Sequence, residues 1–289
     1  MSLLILVLSS PGNNALRDTI RQTWLSVSKK NHNFQAYFVV GDRGLNTKQV
    51  YDLATEKSRH SDLMVLPMHD TYADLTRKLV KTLEFANKNF KFDYVLKCDD
   101  DTFVDVERVT EELASASDPF LYWGFFDGRA PVQTRGKWAD TGYKLCDRYI
   151  PYALGGGYVL GRELVRFIAD NSRILELYNS EDATVGAWMG GLKVHRKHDT
   201  RFSFVVQLSW SIFLYRCFRF DTEWKSRGCS SKFLVTHKQT EADMKIKWNR
   251  LSKYGNICEG AETKVRLSYN YDWSKPPSEC CIRSDHSLP

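Results

Sequence analysis

The 289-residue chain lacks the short signatures that settle a chemistry at once. No two of its seven cysteines stand in Cys-x-x-Cys spacing, which argues against structural zinc and thioredoxin-type redox chemistry. The first apolar run leads into Ser9-Ser10-Pro11-Gly12-Asn13-Asn14, not a Gly-x-Gly-x-x-Gly turn, so a dinucleotide fingerprint is missing. A Walker A loop and a Gly-x-Ser-x-Gly elbow are missing as well. The 41 basic residues exceed the 35 acidic ones by only +6, and no Lys/Arg block is dense enough for a nucleic-acid stripe; no nucleic-acid partner is expected. There is no Asn-x-Ser/Thr sequon. Long apolar runs are also absent. Met1–Leu8 carries no charged flank, runs straight into Pro11-Gly12, and is too short to cross a bilayer. It reads as a first core strand, and any export signal or membrane anchor is expected to lie upstream of this chain.

What is present is an ordinary globular composition, 43% hydrophobic and 13% aromatic, enough for one large domain or two small ones. The cysteines are Cys98, Cys146, Cys217, Cys229, Cys258, Cys280 and Cys281, the last two adjacent. Their crowding towards a loop-rich C-terminal region suits disulfides formed in an oxidising compartment, in a pairing that the sequence leaves open.

The first half alternates between strand and helix signals. Strands are expected at Leu3–Leu8, Ala36–Val40, Leu63–Leu66 and Tyr94–Cys98. Helices are expected over Ala15–Leu25, Thr47–Ser58 and from Leu75 to about Asn89. Such alternation predicts a mostly parallel sheet with helices on both faces. The second half is less regular. Leu121–Phe126 reads as a strand, Gly155-Gly156-Gly157 as a sharp turn or a close backbone approach to a ligand, and Glu163–Asn171 as a helix. Ser180-Glu181-Asp182 resembles a helix start.

The stretch with most chemical content is Lys97-Cys98-Asp99-Asp100-Asp101, three adjacent carboxylates at the end of an apolar strand. Carboxylates so placed repel one another unless a cation is shared, and oxygen donors suit Mg²⁺ or Mn²⁺. The C-terminal end of a strand in an α/β sheet is also where ligands bind. The competing reading is an acidic turn in which Asp99 or Asp101 caps the succeeding segment of chain.

Taken together, the motifs resemble the β-1,3-glycosyltransferases of glycosyltransferase family 31. They run in order through Arg17-x-x-Ile20-Arg21-x-Thr23-Trp24, Asp70-x-Tyr72-x-Asp74-Leu75-Thr76-x-Lys78, the acidic triplet, Gly155-Gly156-Gly157-Tyr158, Glu181-Asp182 and His237. Within that family the likeness runs towards the linkage-region galactosyltransferases of glycosaminoglycan synthesis. It is carried by Tyr122–Phe126, Gly136-Lys137-Trp138, Pro151–Leu160, Arg227-Gly228-Cys229, Val235–Gln239, Tyr271-Asp272-Trp273-Ser274 and Pro276-Pro277-Ser278-x-Cys280-Cys281. The resemblance implies a single GT-A domain over residues 1–289, with a nucleotide-sugar half at 1–120 and an acceptor half at 121–289. It implies inverting transfer from UDP-galactose to the 3-hydroxyl of galactose in a Galβ1,4Xyl-type glycan on a proteoglycan core protein, in the Golgi lumen. Another β-1,3-transferase and a non-catalytic glycan binder are the alternatives.

The same resemblance assigns candidate roles. Asp101, Asp99 and His237 would hold Mn²⁺, with Asp100 assisting. Asp182 would be the general base, or Glu181 in its place. Arg17, Arg21, Asp70, Lys78, Asp99 and Asp100 would bind the donor, because arginine forks suit phosphate. Trp123, Trp138, Gly156, Gly157 and Tyr158 would meet the acceptor, the rings by stacking on sugar. The chain departs from the family pattern at Ser203–Phe220, a mostly apolar insertion between Phe202 and Asp221 that contains Cys217. Arg201-Phe202 recurs as Arg219-Phe220 at its far edge; a gene-model artefact such as a translated intron is the expected origin, and a real hydrophobic loop that binds a partner or a membrane surface is the alternative.

Overall fold

The computed structural model describes residues 2–29, 33–128, 130–136, 139–203, 229–258, 269–277 and 279–281. The expected first strand is β1 (Leu3–Leu8), buried along its whole length. It is followed by α1 (Asn14–Gln22), a short 3-10 turn at Trp24–Lys29, β2 (Phe34–Arg43), α2 (Thr47–Arg59) and β3 (Leu63–His69). A further 3-10 turn leads to α3 (Leu75–Asn89), then β4 (Tyr94–Asp99), β5 (Phe103–Val104), α4 (Val106–Ala114) and β6 (Leu121–Asp127). The second half adds β7 (Tyr152–Gly161), α5 (Arg162–Asn171), α6 (Glu181–Met189), β8 (His195–His198), β9 (Phe202–Ser203), β10 (Val235–Thr236) and α7 (Glu241–Tyr254).

One seven-stranded sheet runs through both halves in the order β3-β2-β1-β4-β7-β6-β8. The pairs β3–β2, β2–β1, β1–β4 and β6–β8 are parallel, while β7 is antiparallel to both neighbours. The fold is therefore mostly parallel with flanking helices, the GT-A type arrangement that the resemblance implies. Continuous apolar runs such as Leu3–Leu8 follow from this layering, because a central parallel strand is covered on both faces. The expected helix over Ala15–Leu25 ends at Gln22, where Thr23 turns its hydroxyl back onto the Thr19 carbonyl at 2.6 Å and the chain tightens into the 3-10 turn.

The glycine run is where expectation and structure part. Gly155-Gly156-Gly157 forms no turn; it lies inside β7. A Cβ on Gly157 would stand 2.8 Å from Val235 Cγ1, so glycine is needed for the close approach of β10. Gly156 is buried, and its carbonyl accepts from the Thr102 hydroxyl at 2.8 Å. Neither residue offers the acceptor-facing backbone that was expected.

The second, three-stranded sheet has the order β5-β10-β9. A disulfide joins Cys229 to Cys258, and a second links the adjacent Cys280 and Cys281. Cys98 is a buried thiol on β4 and Cys146 an exposed one, so the cysteines outside the insertion do not all pair. Cys217, the insertion beyond Ser203 and Trp138 lie outside the described residues. Among the described residues, no helix is long and apolar enough to cross a membrane.

Candidate active site

β4 ends in Asp99, and the turn Asp100–Thr102 carries the chain into β5. β10 pairs antiparallel with β5, Thr236 opposite Phe103 and Val235 opposite Val104. That register places His237 directly beyond the strand pair, beside the acidic turn. Its Nε2 lies 2.8 Å from Asp101 Oδ1 and 3.5 Å from Asp99 Oδ2. Lys238 then adopts φ 61°, a left-handed conformation uncommon for a side-chain-bearing residue. The turn is held by Gln239 N–H donating to the Asp101 carbonyl at 2.8 Å and by Lys238 Nζ donating to Asp101 Oδ2 at 3.0 Å.

Asp99, Asp101 and His237 each present one ligand atom, all within 4.8 Å of one another. Two carboxylate oxygens and an imidazole nitrogen form a donor set suited to a hard or borderline divalent cation. Burial opposes ionisation of Asp101, but the hydrogen bond and charge of His237, with Lys238, outweigh it and hold the carboxyl at about 2. Asp101 is therefore an anion ready to ligate across the neutral pH range. The residues fit a divalent cation.

Asp100 faces the other way. It accepts from the Ser9 hydroxyl at 2.7 Å and from Asn13 Nδ2 at 2.8 Å. Burial raises its pKa. Asn13 occupies the N-cap of α1 without making the cap bond, its amide being committed to Asp100. Lys78 Nζ, on α3, pairs with Asp70 at 2.7 Å and also donates to the Ser9 carbonyl, and Asp70 accepts from Gly41 N–H at 2.8 Å. Asp70, Lys78, Ser9, Asn13 and Asp100 thus form one polar patch at the C-terminal ends of β1, β3 and β4.

Arg17 and Arg21 do not join it as phosphate ligands. Arg17 is fully buried; its fork holds Glu56 of α2 at 2.8 and 2.6 Å, and its remaining nitrogen reaches Ser9 Oγ at 2.8 Å. Arg21 pairs with Glu56 at 2.7 Å and Asp62 at 2.8 Å and lies over the Phe38 ring. A bidentate fork fits a buried carboxylate as well as a phosphate, and here α2 supplies the carboxylate.

The base candidates open α6. Glu181 is buried, donated to by Tyr158 hydroxyl and by Lys97 Nζ at 2.8 Å. Burial raises its pKa. Both of its oxygens are taken by internal partners. Asp182 is half-buried and accepts from Gly155 N–H at 2.7 Å, from Ser180 Oγ at 2.8 Å and from its neighbour Ala183 N–H at 2.9 Å. Ser180, at the N-cap, directs its hydroxyl to Asp182 and makes no cap bond. A Cβ on Gly155 would stand 3.1 Å from Asp182 Oδ2, so this glycine admits the carboxylate to the strand edge. Of the two acids, Asp182 is the one with surface in solvent.

Lys97 connects these parts and was missed as a functional residue. Almost fully buried on β4, its ammonium donates to Asp99 Oδ1 at 3.0 Å, to Glu181 at 2.8 Å and to the Gly155 carbonyl at 2.7 Å. Burial disfavours its charge, but Asp99 and Glu181 outweigh this and raise its pKa. The available signal was a lysine set among Val95, Leu96 and Cys98 in a strand covered on both faces. Asp140 was missed too. Buried in the loop after β6, it accepts from Asn179 N–H at 3.1 Å and Ser180 N–H at 3.4 Å, fixing the backbone just ahead of Asp182.

Trp123 and Tyr158, expected to stack on sugar, are core residues. Both are fully buried; Trp123 donates to Asp199 at 2.9 Å and packs edge-on to Phe202, while Tyr158 packs against Tyr122. A ring with no exposed face cannot stack on a ligand.

An acidic strand end thus faces a histidine, and Lys97 links it to the acids that open α6. Residues 15–200 match the family model described as galactosyltransferase, and the chain belongs to that family. It is 39% identical over 290 residues to β-1,3-galactosyltransferase 6 of Mus musculus, which spans 98% of this chain and 83% of that protein. It is 28% identical to UDP-GalNAc:β-1,3-N-acetylgalactosaminyltransferase 2 of Mus musculus, over 74% of this chain and 38% of that protein. A solved glycosyltransferase involved in glycosylation of the major capsid of PBCV-1 superposes with a TM-score of 0.43 at 11% identity, over 84% of this chain and 97% of that chain.

Proposed function

We propose that the chain is an inverting β-1,3-galactosyltransferase of the linkage-region galactosyltransferase II type. It would move galactose from UDP-galactose to the 3-hydroxyl of the galactose in a Galβ1,4Xyl-type glycan on a proteoglycan core protein. The observation that carries this reading is the arrangement across Lys97. A candidate divalent-cation cluster of Asp99, Asp101 and His237 lies on one side and the anchored carboxylate of Asp182 on the other, within a chain that is 39% identical to a β-1,3-galactosyltransferase over nearly its whole length.

In this reading Asp182 accepts the proton of the acceptor 3-hydroxyl as that oxygen attacks C1 of galactose. The bond from C1 to the β-phosphate oxygen breaks, its electron pair leaves with UDP, and the configuration at C1 changes from α to β. Gly155 N–H, Ser180 Oγ and Ala183 N–H hold the carboxylate in place. Asp99, Asp101 and His237 would hold Mn²⁺, which supplies Lewis-acid stabilisation of the departing diphosphate when bound. Glu181 and Lys97 position Asp182 and Asp99 from beneath, and Asp70, Lys78 and Asp100 shape the donor side. The Cys229–Cys258 disulfide supports a lumenal, oxidising setting, in keeping with the Golgi.

The test is transfer from UDP-galactose to a Galβ1,4Xyl-aryl acceptor with Mn²⁺ and with a chelator. Product that depends on the metal, carries a β-1,3 linkage and falls by about 10²–10⁴-fold in Asp182→Asn is expected. An Asp182→Asn variant as active as the unsubstituted chain removes Asp182 as the base. UDP-GalNAc is run in parallel, because a relative named for that donor matches this chain at 28% identity; preference for it would overturn the donor assignment.

A further inference from the structure

We propose that Trp273 is a stacking surface for the acceptor saccharide, holding the sugar on the reducing side of the acceptor galactose. The proposal rests on the galactosyltransferase reading and concerns a residue to which that reading assigned no role.

Residues 269–273 wrap the end of β6. Tyr269 packs on Phe125 and donates its hydroxyl to the Phe126 carbonyl. Tyr271 is next in this aromatic run, buried over Gly128, where any Cβ would collide with its ring. Trp273 stacks on Tyr271 with ring centroids 3.8 Å apart and 24° between planes, and its edge meets Phe126 at 5.1 Å. Asp272 N–H donates to the Cys280 carbonyl at 2.8 Å, so the buried Cys280–Cys281 disulfide braces the segment from behind. Trp273 nevertheless keeps 42% of its surface in solvent, whereas Trp123 of β6 is fully buried. An indole stacked on a buried ring yet still partly exposed suits a sugar platform, since the apolar face of a pyranose packs on a π-face with little loss of rotamer freedom in the protein.

Position selects the ligand. Phe126 is paired with Ala153 of β7, two residues from Gly155, whose N–H holds Asp182. Two strand residues span about 7 Å, and neighbouring strands lie about 5 Å apart. With the 5.1 Å between the Phe126 and Trp273 rings, these steps place Trp273 on the order of 15 Å or less from the base, within the span of a short saccharide. It shares the sheet face of α6. Phe126 packs on Tyr122 at 4.7 Å, Tyr122 packs on Tyr158 at 5.8 Å, and the Tyr158 hydroxyl donates to Glu181 at the start of α6. The acidic turn and His237 lie on the opposite side of Asp182, off the end of β4 and two strands from β6. A saccharide over Trp273 with its neighbouring hydroxyl at Asp182 extends away from the donor, which identifies it as the acceptor and the stacked ring as its second sugar.

The experiment is steady-state kinetics of the full chain with Trp273→Ala and Trp273→Tyr, varying UDP-galactose and either Galβ1,4Xyl-aryl or the one-sugar Galβ-aryl acceptor. Tyr51→Ala, at an exposed ring on α2 far from the site, is the control, and thermal unfolding is recorded for every variant. For Trp273→Ala the KM for the disaccharide rises about three- to tenfold, the scale of one aromatic contact. The KM for UDP-galactose does not move, the effect is absent with the one-sugar acceptor, and Trp273→Tyr restores most of the loss. A merely structural role would instead lower the unfolding midpoint and change kcat with both acceptors alike, which overturns the proposal. Unchanged kinetics in Trp273→Ala, with the unsubstituted chain active, overturn it while leaving the galactosyltransferase reading intact. An unsubstituted chain that hydrolyses UDP-galactose but transfers to neither galactoside overturns both.

Discussion

Lys97→Met is the most informative single perturbation of this chain. Methionine approximates the length of the lysine stem but cannot donate to Asp99, Glu181 or the Gly155 carbonyl, three bonds of 3.0, 2.8 and 2.7 Å. Glu181 would then be a buried carboxylate without the only neutralising partner it has among the described residues, a loss of about 3–5 kcal/mol. At about 2–4 °C per kcal/mol for a domain of this size, the unfolding midpoint falls by on the order of 10 °C. The pH dependence has a definite sign. Burial already holds the Glu181 pKa above the ordinary 4.5, with the Lys97 charge opposing that rise. An acid whose folded pKa is raised binds its proton more tightly in the native state, so stability declines as pH rises from about 4.5 through the folded value. Without Lys97 that window reaches higher, and Lys97→Met regains stability on mild acidification. Differential scanning fluorimetry across pH measures this, with the double variant Lys97→Met, Glu181→Gln as the partner arm. The neutral amide still accepts from Tyr158, so the double variant recovers most of the stability but not the transfer activity, because Asp99 and Gly155 remain without their bridge. A single variant melting within about 2–4 °C of the unsubstituted chain, or a double variant no more stable than the single, would refute the reasoning.

Glu56→Gln leaves the fully buried Arg17 without its counter-charge and is expected to destabilise by about 3–5 kcal/mol in urea titrations. Burial pushes the Glu56 pKa up, but Arg17 and Arg21 outweigh it and hold it below 4.5; its stabilisation is therefore present above that pH and is lost on acidification, and the variant's acid-unfolding curve should lack that component. His237→Ala removes one of three candidate ligands: Mn²⁺ alone, without donor or acceptor, raises the unfolding midpoint of the unsubstituted chain, and the variant needs at least about 10–100-fold more ion for the same rise. Deleting Ser203–Phe220 keeps the Phe202–Val235 pairing and the Leu234 N–H bond to the Arg201 carbonyl at 2.9 Å, so the shortened chain is expected to fold and transfer galactose. A tryptic peptide of the natural protein running into Ser203-Phe204-Val205 would sink the translated-intron origin.

Where the sequence spoke through burial, it spoke clearly. Leu3–Leu8, Leu63–Leu66 and Tyr94–Cys98 are apolar runs closed by polar or turn residues, and each is a strand of the main sheet. Where one residue type serves two purposes, it misled. Gly155-Gly156-Gly157 reads as a turn because nothing local reports that Val235 and Asp182 will press against a strand at those positions. Arg17 and Arg21 sit one helical turn apart, and the sequence offers no means of choosing a phosphate over Glu56, whose carboxylate arrives from α2. Asn13 and Ser180 occupy N-caps, yet their side chains are turned to Asp100 and Asp182. The closeness of His237 to Asp101 depends on the β5–β10 pairing between segments far apart in sequence, which periodicity cannot reveal; the family resemblance alone pointed to it.

The adjacency of Glu181 and Asp182 is the last point to resolve, because sequence treats them as interchangeable. They are one residue apart at the start of a helix, and both gain from its positive N-terminal end. Their side chains leave in different directions, Glu181 into the core and Asp182 along the strand edge. Glu181 meets an ammonium and a phenol and has no route to solvent, so proton transfer to it would strip Lys97 of a partner that also orients Asp99. Asp182 meets backbone N–H groups and a hydroxyl, neutral donors that fix its direction while leaving its charge available. A base needs that second environment. Glu181→Gln should therefore lose activity mainly through misplacement of Lys97 and keep the pH profile of transfer. Asp182→Asn should lose the rate itself, by about 10²–10⁴-fold, without unfolding. A folded Glu181→Gln enzyme that loses that much rate while Asp182→Asn keeps its activity would reverse the assignment.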